Sequence, residues 1–406
     1  MFGIFTGHVM KKCEIITENV YFILDLLEKY GHETRIVGGA VRNSLLNLPI
    51  SDIDIATTAL PQEVIEIFKK NEISVIPTGI EYGTVTVIFK KIPYEITTLR
   101  EDIQTFGRKA VVKFTKSFEK DSKRRDFTIN AIYMNKNSEI FDFHHGLNDI
   151  SARNIRFIGN ASERIREDYL RILRYYRFVA KYGEYRFNPE YLSIINNLKS
   201  EMHILSSERI IGEFLKIFEI SDSYKIIKPM RPVLEELFGF TDDPFSIAQT
   251  LKLFSELSSD ERFALLLKFS HTNNKLNFPK KIRELSKFSL SAFDLISLKK
   301  QLKQIKPQHR RFFITLAAVT LRRFAPAQPT TEIQNLISQI KNFCDSGYAD
   351  FNFRAAQLNA YNLSPSELKD IMIATKNYWQ NSADNISSDD CLRFAENFIA
   401  TKPLTF

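Results

Sequence analysis

The stretch "RIVGGAVRNSLLNLPISDIDIATTALP" (35–61) decides the fold. Its first apolar run reads as a short strand ending at Gly38-Gly39, and "AVRNSLLN" reads as the helix that follows. Paired glycines at a strand-to-helix turn let the backbone approach a phosphate, while the helix N-terminus supplies N–H donors and positive potential. Arg42, one turn in, is placed to reach the same anion. A glycine pair alone is usually just a tight turn, so the weight falls on "SDIDIAT". Side chains at i and i+2 of a strand share a face, and Asp52 and Asp54 are therefore expected to project together. Like charges so close are unfavourable unless a cation lies between them. Hard oxygen ligands suit Mg²⁺, which binds through a few carboxylates plus substrate phosphates. Glu95, in "PYEITTLR", is a candidate third carboxylate from an adjacent strand. The plainer alternative for all three acids is an exposed strand end.

Outward from this stretch, "TVTVIF" (84–89), "YEITTL" (94–99), "FTINAIYM" (127–134) and "EIFDF" (139–143) read as strands. They alternate with helical patterns such as "TENVYFILDLLEKY" (17–30) and "PQEVIEIFKK" (61–70), the latter with Pro61 in its first turn. A mixed α/β domain ending near residue 145 follows. Beyond "HHGLNDI" helical patterns dominate, and the expected organisation is a head over 1–145, a neck and body over 146–275 and a tail over 276–406. Within the second part, "RIREDYLRILRYYRF" reads as one helix that puts Asp168 and Arg171 on a common face, with Arg174 and Arg177 continuing the row. Taken alone, that pair is a surface salt bridge.

At 406 residues the chain is long enough for two or more cores, and its net charge of +8 favours a polyanionic partner. Cys13, Cys344 and Cys391 are too scattered for a disulfide framework or a zinc cluster, which points to a reducing compartment. No apolar run approaches a membrane span and no secretory signal is recognisable, so a cytoplasmic location with no membrane partner is expected.

Glycine pair, helix, then Asp-x-Asp is the order found in nucleotidyltransferases related to DNA polymerase beta. "VGGAVRNSLL", "DIDIATTALP", "GIEYGTVTV", "EITTLR", "RRDFTINAIY" and "EDYLRILRYYRF" resemble the successive motifs of the class II tRNA nucleotidyltransferases, the CCA-adding enzymes, whose close relatives are the bacterial poly(A) polymerases. The resemblance covers roughly residues 33–220. It implies an α/β head followed by all-α neck, body and tail domains. It also implies two Mg²⁺ ions on Asp52 and Asp54, CTP and ATP as substrates, and tRNA, gripped at its acceptor arm and 3′ end, as partner. Asp168 and Arg171 match the family's base-selecting pair, Arg125 and Asp126 its motif for the incoming nucleotide, and Arg174 and Arg177 arginines of the selector helix. One departure is Asn43, where the family usually has Asp. The segment 100–124 is full length, as in CCA-adding members. "TGIEYGTVTV" stands where the poly(A) polymerases carry a basic aromatic stretch. CCA addition is accordingly expected first, with poly(A) or A-only addition as the alternative and a non-catalytic RNA-binding protein less favoured. No histidine precedes an aspartate, so no appended metal phosphohydrolase activity is expected. His144-His145, in a turn after a strand, reads as structural or as a minor RNA contact rather than a metal site.

Overall fold

The structure, a computed structural model, describes residues 15–106, 109–239, 258–267, 278–286 and 295–305, and then 310, 338–339, 342–343, 350–361, 363–382 and 386–401. Two compact units are present, one of residues 1–248 with 270–277 and one of 249–269 with 278–406.

The first unit opens with α1 (Glu18–Lys29), which Thr17 caps by accepting from the Val20 N–H; such a cap is worth about 1 kcal/mol. Next come β1 (Thr34–Val37), α2 (Gly39–Leu45), β2 (Asp54–Thr57) and α3 (Pro61–Lys70). Pro61 sits at the start of α3, where its missing N–H has no partner to lose. Strands β3 (Ser74–Gly79), β4 (Thr84–Phe89) and β5 (Ile92–Thr98) follow, then β8 (Ile132–Met134) and β9 (Ile140–Asp142) after an inserted hairpin. Together they form a seven-stranded sheet in the order β3-β4-β5-β2-β1-β8-β9. Only the β2–β5 pair runs parallel, with Asp54 opposite Glu95 and Ile55 opposite Ile96. The insertion is β6 (Arg100–Phe106) paired antiparallel with β7 (Lys109–Phe114), followed by α4 (Phe118–Lys123).

One face of the sheet carries Ile36, Ile55, Val85, Val87, Ile96 and Met134, which pack with Val20, Leu24 and Leu27 of α1 and Val64 and Phe68 of α3 into the main core. Each such side chain contributes roughly 1.5–3 kcal/mol when fully buried. The period of two then forces their neighbours onto the opposite face. That face bears Val37, Ala56 and Tyr133, over which Phe118 packs. Asp54 and Glu95 lie on this side, and here the site is built.

"FTINAIYM" is only half a strand. Thr128–Asn130 form a 3₁₀ turn and pairing starts at Ile132. The turn is held from below by α5 (Gly146–Ser151): a side chain at Gly146 would place its first carbon 2.4 Å from the Thr128 carbonyl oxygen. His145 precedes it in a left-handed conformation, and the His144 ring bonds the Ser122 hydroxyl at 2.8 Å.

Helices α6 (Ala161–Glu167), α7 (Leu170–Tyr182), α8 (Pro189–Leu198), α9 (Ser207–Phe218) and α10 (Ile227–Phe238) complete this unit. Helix α7 is buried along most of its length, with Ile172, Leu173, Tyr175, Tyr176, Phe178 and Val179 packed inward, and it carries Arg171, Arg174 and Arg177 at three-residue spacing. Phe127 anchors the sheet domain to it, packing on Phe157 and Phe178 with ring centroids 4.8 and 5.0 Å away.

The second unit shows α11 (Ser259–Leu267), α12 (Lys280–Ser286), α13 (Leu295–Gln304), α14 (Pro365–Asn381) and α15 (Ser388–Thr401). Ser364 and Glu367 form a reciprocal cap at the start of α14, and Ile371, Trp379, Cys391 and Ala395 form a core between the last two helices. "SIAQTLKLFSEL" and most of "PQHRRFFITLAAVTLRRF" lie outside the described residues. No described helix is long and apolar enough to cross a membrane.

Candidate active site

A cavity of about 650 Å³ opens in the first unit. It is lined by Gly38, Gly39, Arg42, Asp52, Asp54, Arg125, Asp126, Asp168, Arg171, Arg174 and Arg177, so eleven of the twelve residues singled out from sequence meet in one place. Glu95, the twelfth, does not reach the wall, although the strand register sets it directly beside Asp54.

Gly38, between β1 and α2, has φ +78° and ψ −125°, a conformation that side-chain-bearing residues rarely adopt. The turn therefore needs its glycine, and it points the first N–H groups of α2 at the cavity. Asp54 is the first residue of β2, and Asp52 lies just before the strand rather than within it. Alternation in the sequence could not locate that boundary, because "SDIDI" alternates across it. Burial raises the Asp54 pKa first, and the neighbouring charges of Glu95 and Asp52 raise it further, against the pull of Arg125. Among the described residues neither Asp52 nor Asp54 pairs with a Lys or Arg, whereas Asp126 pairs with Arg174 and Asp168 with Arg209. The two carboxylates at the sheet end are thus the acids of this cavity still short of positive charge. A divalent cation fits that donor set.

Arg42 is buried. Its guanidinium donates to Asn130 Oδ1, to Asn43 Oδ1 at 2.9 Å and to the Tyr182 hydroxyl at 2.8 Å, and it lies over the Tyr182 ring at 4.2 Å. The departure at Asn43 acquires a reason here. Its amide accepts from Arg42 and donates to the Pro49 carbonyl at 2.9 Å, and a carboxylate could not make the second bond.

Arg125 is clamped by Asp121, 3.0 Å away, and by the Tyr133 hydroxyl at 3.1 Å. Asp121 is fully buried and also accepts from Arg124, Tyr133 and the Arg100 N–H. Burial alone would raise its pKa, but Arg125 and Arg124 hold it well below the usual carboxylate range. Asp126 repeats the device. It accepts from Arg174 at 2.8 Å, from the Asn130 amide at 2.9 Å and from the Phe127 N–H at 2.8 Å. Burial is again outweighed, chiefly by Arg174 and Asn130, and the carboxyl titrates far below normal.

Asp126→Ala removes one partner of a buried pair and leaves Arg174 with only the more distant Glu213, 4.0 Å away. It is expected to cost about 3–5 kcal/mol, read as the denaturant midpoint of the first unit's transition. Because folded Asp126 and Asp121 bind protons less readily than the unfolded chain, their stabilisation is complete above about pH 4 and fades as the pH falls further. A midpoint shift below about 1 kcal/mol, or no loss of stability below that pH, would contradict the network.

The single helix expected through "EDYLR" is broken. Asp168 is extended, with φ −155° and ψ 103°, between the end of α6 and the start of α7. Its carboxylate accepts from the Leu170 N–H at 3.2 Å, a local bond that competes with helix continuation. Asp168 and Arg171 consequently do not share a helix face, and they do not pair. Asp168 Oδ2 accepts from Arg209 of α9 at 2.7 Å. Arg171 donates to Glu167 at 2.6 Å and to the Arg164 carbonyl at 2.7 Å. Arg177 donates to the buried Glu213 at 2.7 Å, and Arg174 lies 4.0 Å from the same residue. Sequence reading missed Asn130, Phe178, Arg209 and Lys216, which also line the cavity. Asn130, inside "RRDFTINAIY", was within its reach. The two residues from α9 carried no local signal.

Seven cationic side chains and four acidic ones thus face one cavity, with a glycine turn and two unpaired carboxylates at the sheet end. A mixed sheet that ends in such a turn and is followed by helices is also the architecture of solved CCA-adding enzymes. Residues 34–156 match the poly A polymerase head domain family. The chain is 43% identical over 197 residues to the CCA-adding enzyme of Bacillus cytotoxicus, a match covering 48% of each chain. It is 42% identical over 208 residues to human mitochondrial CCA tRNA nucleotidyltransferase 1, covering 50% of this chain and 48% of the other. The chain therefore spans about half the length of these curated relatives it matches. Among solved structures, the Bacillus stearothermophilus CCA-adding enzyme in complex with CTP superposes with a TM-score of 0.64 at 25% identity, covering 96% of this chain and 99% of that one. The Thermotoga maritima CCA-adding enzyme complexed with tRNA has the same fold, with a TM-score of 0.66 at 18% identity and 95% and 98% coverage.

Proposed function

We propose that this chain is a cytoplasmic enzyme that adds CCA to the 3′ end of tRNA without a nucleic-acid template, using CTP and ATP and releasing pyrophosphate. The observation that carries the reading is the convergence of Gly38, Asp52, Asp54, Asp168 and Arg171 on one cavity. The resemblance to CCA-adding enzymes supports it. Residues 1–145 act as the catalytic head, 146–275 as a neck and body that select the nucleotide and bind RNA, and 276–406 as a tail on the tRNA.

In this reading the Gly38 turn receives the phosphates of the incoming nucleotide, and Arg125, Arg174 and Arg177 balance their charge. Asp52 and Asp54 hold Mg²⁺, with Glu95 beside them. The two ions, when bound, lower the pKa of the attacking 3′-hydroxyl and stabilise the leaving pyrophosphate. Asp168 accepts from the exocyclic amino group of cytosine or adenine, and Arg171 donates to cytosine N3 or adenine N1. Uracil and guanine present a carbonyl and an N–H at those places, so both contacts turn repulsive.

The test is a tRNA ending at its discriminator base, incubated with CTP, ATP or both, with the products sequenced. CCA ends are expected. The name of the matched head family favours a second reading, poly(A) or A-only addition, which would appear as runs of A or a single A instead. No extension with either nucleotide would defeat both readings.

Binding to tRNA is expected to weaken at least about tenfold between roughly 50 and 200 mM salt, because phosphate contacts release counterions. Affinity that stays flat, or equals that for unstructured RNA, would contradict a phosphate-gripping body and tail. Of the clusters "HRRFF" and "LRRF", only Arg310 is described, and it pairs with Asp350 at 2.6 Å.

A further inference from the structure

Three guanidinium groups of the cavity surround a single aromatic ring. The Arg42, Arg174 and Arg177 guanidinium carbons lie 5.3, 5.4 and 4.7 Å from the centroid of Phe178. They come from two elements, Arg42 from α2 and the other two from α7, and all four residues line the cavity. Like charges gathered this closely repel one another, and in water each would swing apart. Side-chain partners restrain part of each group: Asn43, Asn130 and Tyr182 hold Arg42, Asp126 holds Arg174, and Glu213 holds Arg177. What the three have in common is the negative π-face of Phe178, which attracts cations within about 6 Å of its centroid. The ring is itself fixed, only 3% exposed, against Phe127 at 5.0 Å and Tyr182 at 5.5 Å.

We propose that Phe178 is a positioning residue that keeps these three arginines converged on the cavity, ready for a polyphosphate. The inference rests on the reading of the cavity as a nucleotide site. An aliphatic side chain of similar bulk would fill the same volume but offer the cations no negative face. Preorganisation lost in this way appears as weaker anion binding, since the arginines must then be gathered at the moment of binding.

The experiment uses the full chain with phenylalanine analogues carrying one, two or three ring fluorines at position 178. Fluorination hardly changes the shape of the ring but drains its π-face stepwise. The reading is the affinity for inorganic tripolyphosphate, by calorimetry, with the thermal midpoint measured alongside. Affinity is expected to fall at each step, reaching a loss of roughly tenfold at three fluorines, while the midpoint stays constant. Equal affinity across the series would overturn the proposal, as would a loss of affinity that follows a falling midpoint, the signature of packing alone. Failure of the unsubstituted protein to bind tripolyphosphate would instead overturn the nucleotide-site reading, and this proposal with it.

Discussion

Asp52→Ala and Asp54→Ala are each expected to abolish incorporation of C and A alike, by roughly a thousandfold or more, while affinity for tRNA stays within a few-fold. The geometry behind this is specific. Both carboxylates open on the cavity, and neither is neutralised by a Lys or Arg among the described residues. Metal-dependent single-turnover rates with saturating CTP are the measurement, and near wild-type rates with Mg²⁺ present would refute the assignment. A companion variant separates chemistry from folding. The Asp54 pKa is raised in the folded protein, so at neutral pH its ionised form opposes folding, and this opposition eases as the pH falls through the raised value. Asp54→Asn should therefore leave the thermal midpoint unchanged or raise it by about 1–3 °C while activity is lost. A lower midpoint would mean that Asp54 has a stabilising partner instead.

The second large effect concerns the choice of base. Asp168→Ala removes both the acceptor for an amino group and the repulsion against a carbonyl. Incorporation of U and G should rise relative to C and A by roughly ten- to hundredfold, each base contact being worth about 1–3 kcal/mol. Arg171→Ala should blur the choice as well, with a larger loss of rate because a donor and a positive charge disappear together. The decisive quantity is the ratio of kcat/KM for CTP and UTP on a CCA-less tRNA, wild type against Asp168→Ala. Were Asp168 merely the ion-pair partner of Arg209, its removal would cost at most about 1 kcal/mol of stability and leave that ratio unchanged.

The strand, glycine turn and helix at 34–45 could be read from sequence because each is dictated locally, by the apolar run and by a glycine that only a positive φ explains. Helices α1 and α3 were legible for the same reason, down to Thr17 and Pro61 at their starts. Where the reading failed, a side chain competed with its own backbone. Asp168 takes the Leu170 N–H and breaks what periodicity presents as continuous, and Thr128–Asn130 coil against α5 although their composition suits a strand. The partners of Arg171 and Asp168 were illegible for another reason. Spacing within a helix proposes neighbours three and four residues away, while Arg209 arrives from 41 residues further along.

If Asp168 and Arg171 select the base as proposed, their present partners have a consequence for how that base is read. In the free protein Asp168 is already bonded to Arg209 and to the Leu170 N–H, and Arg171 to Glu167 and the Arg164 carbonyl. Recognition of a base edge is thus an exchange and not the filling of empty valences. A nucleotide whose edge matches offers both side chains a new partner for those it displaces. One whose edge does not match displaces them without return, and the original pairs re-form as it leaves. On that reading, the empty cavity competes with every incoming nucleotide and is set against the wrong ones.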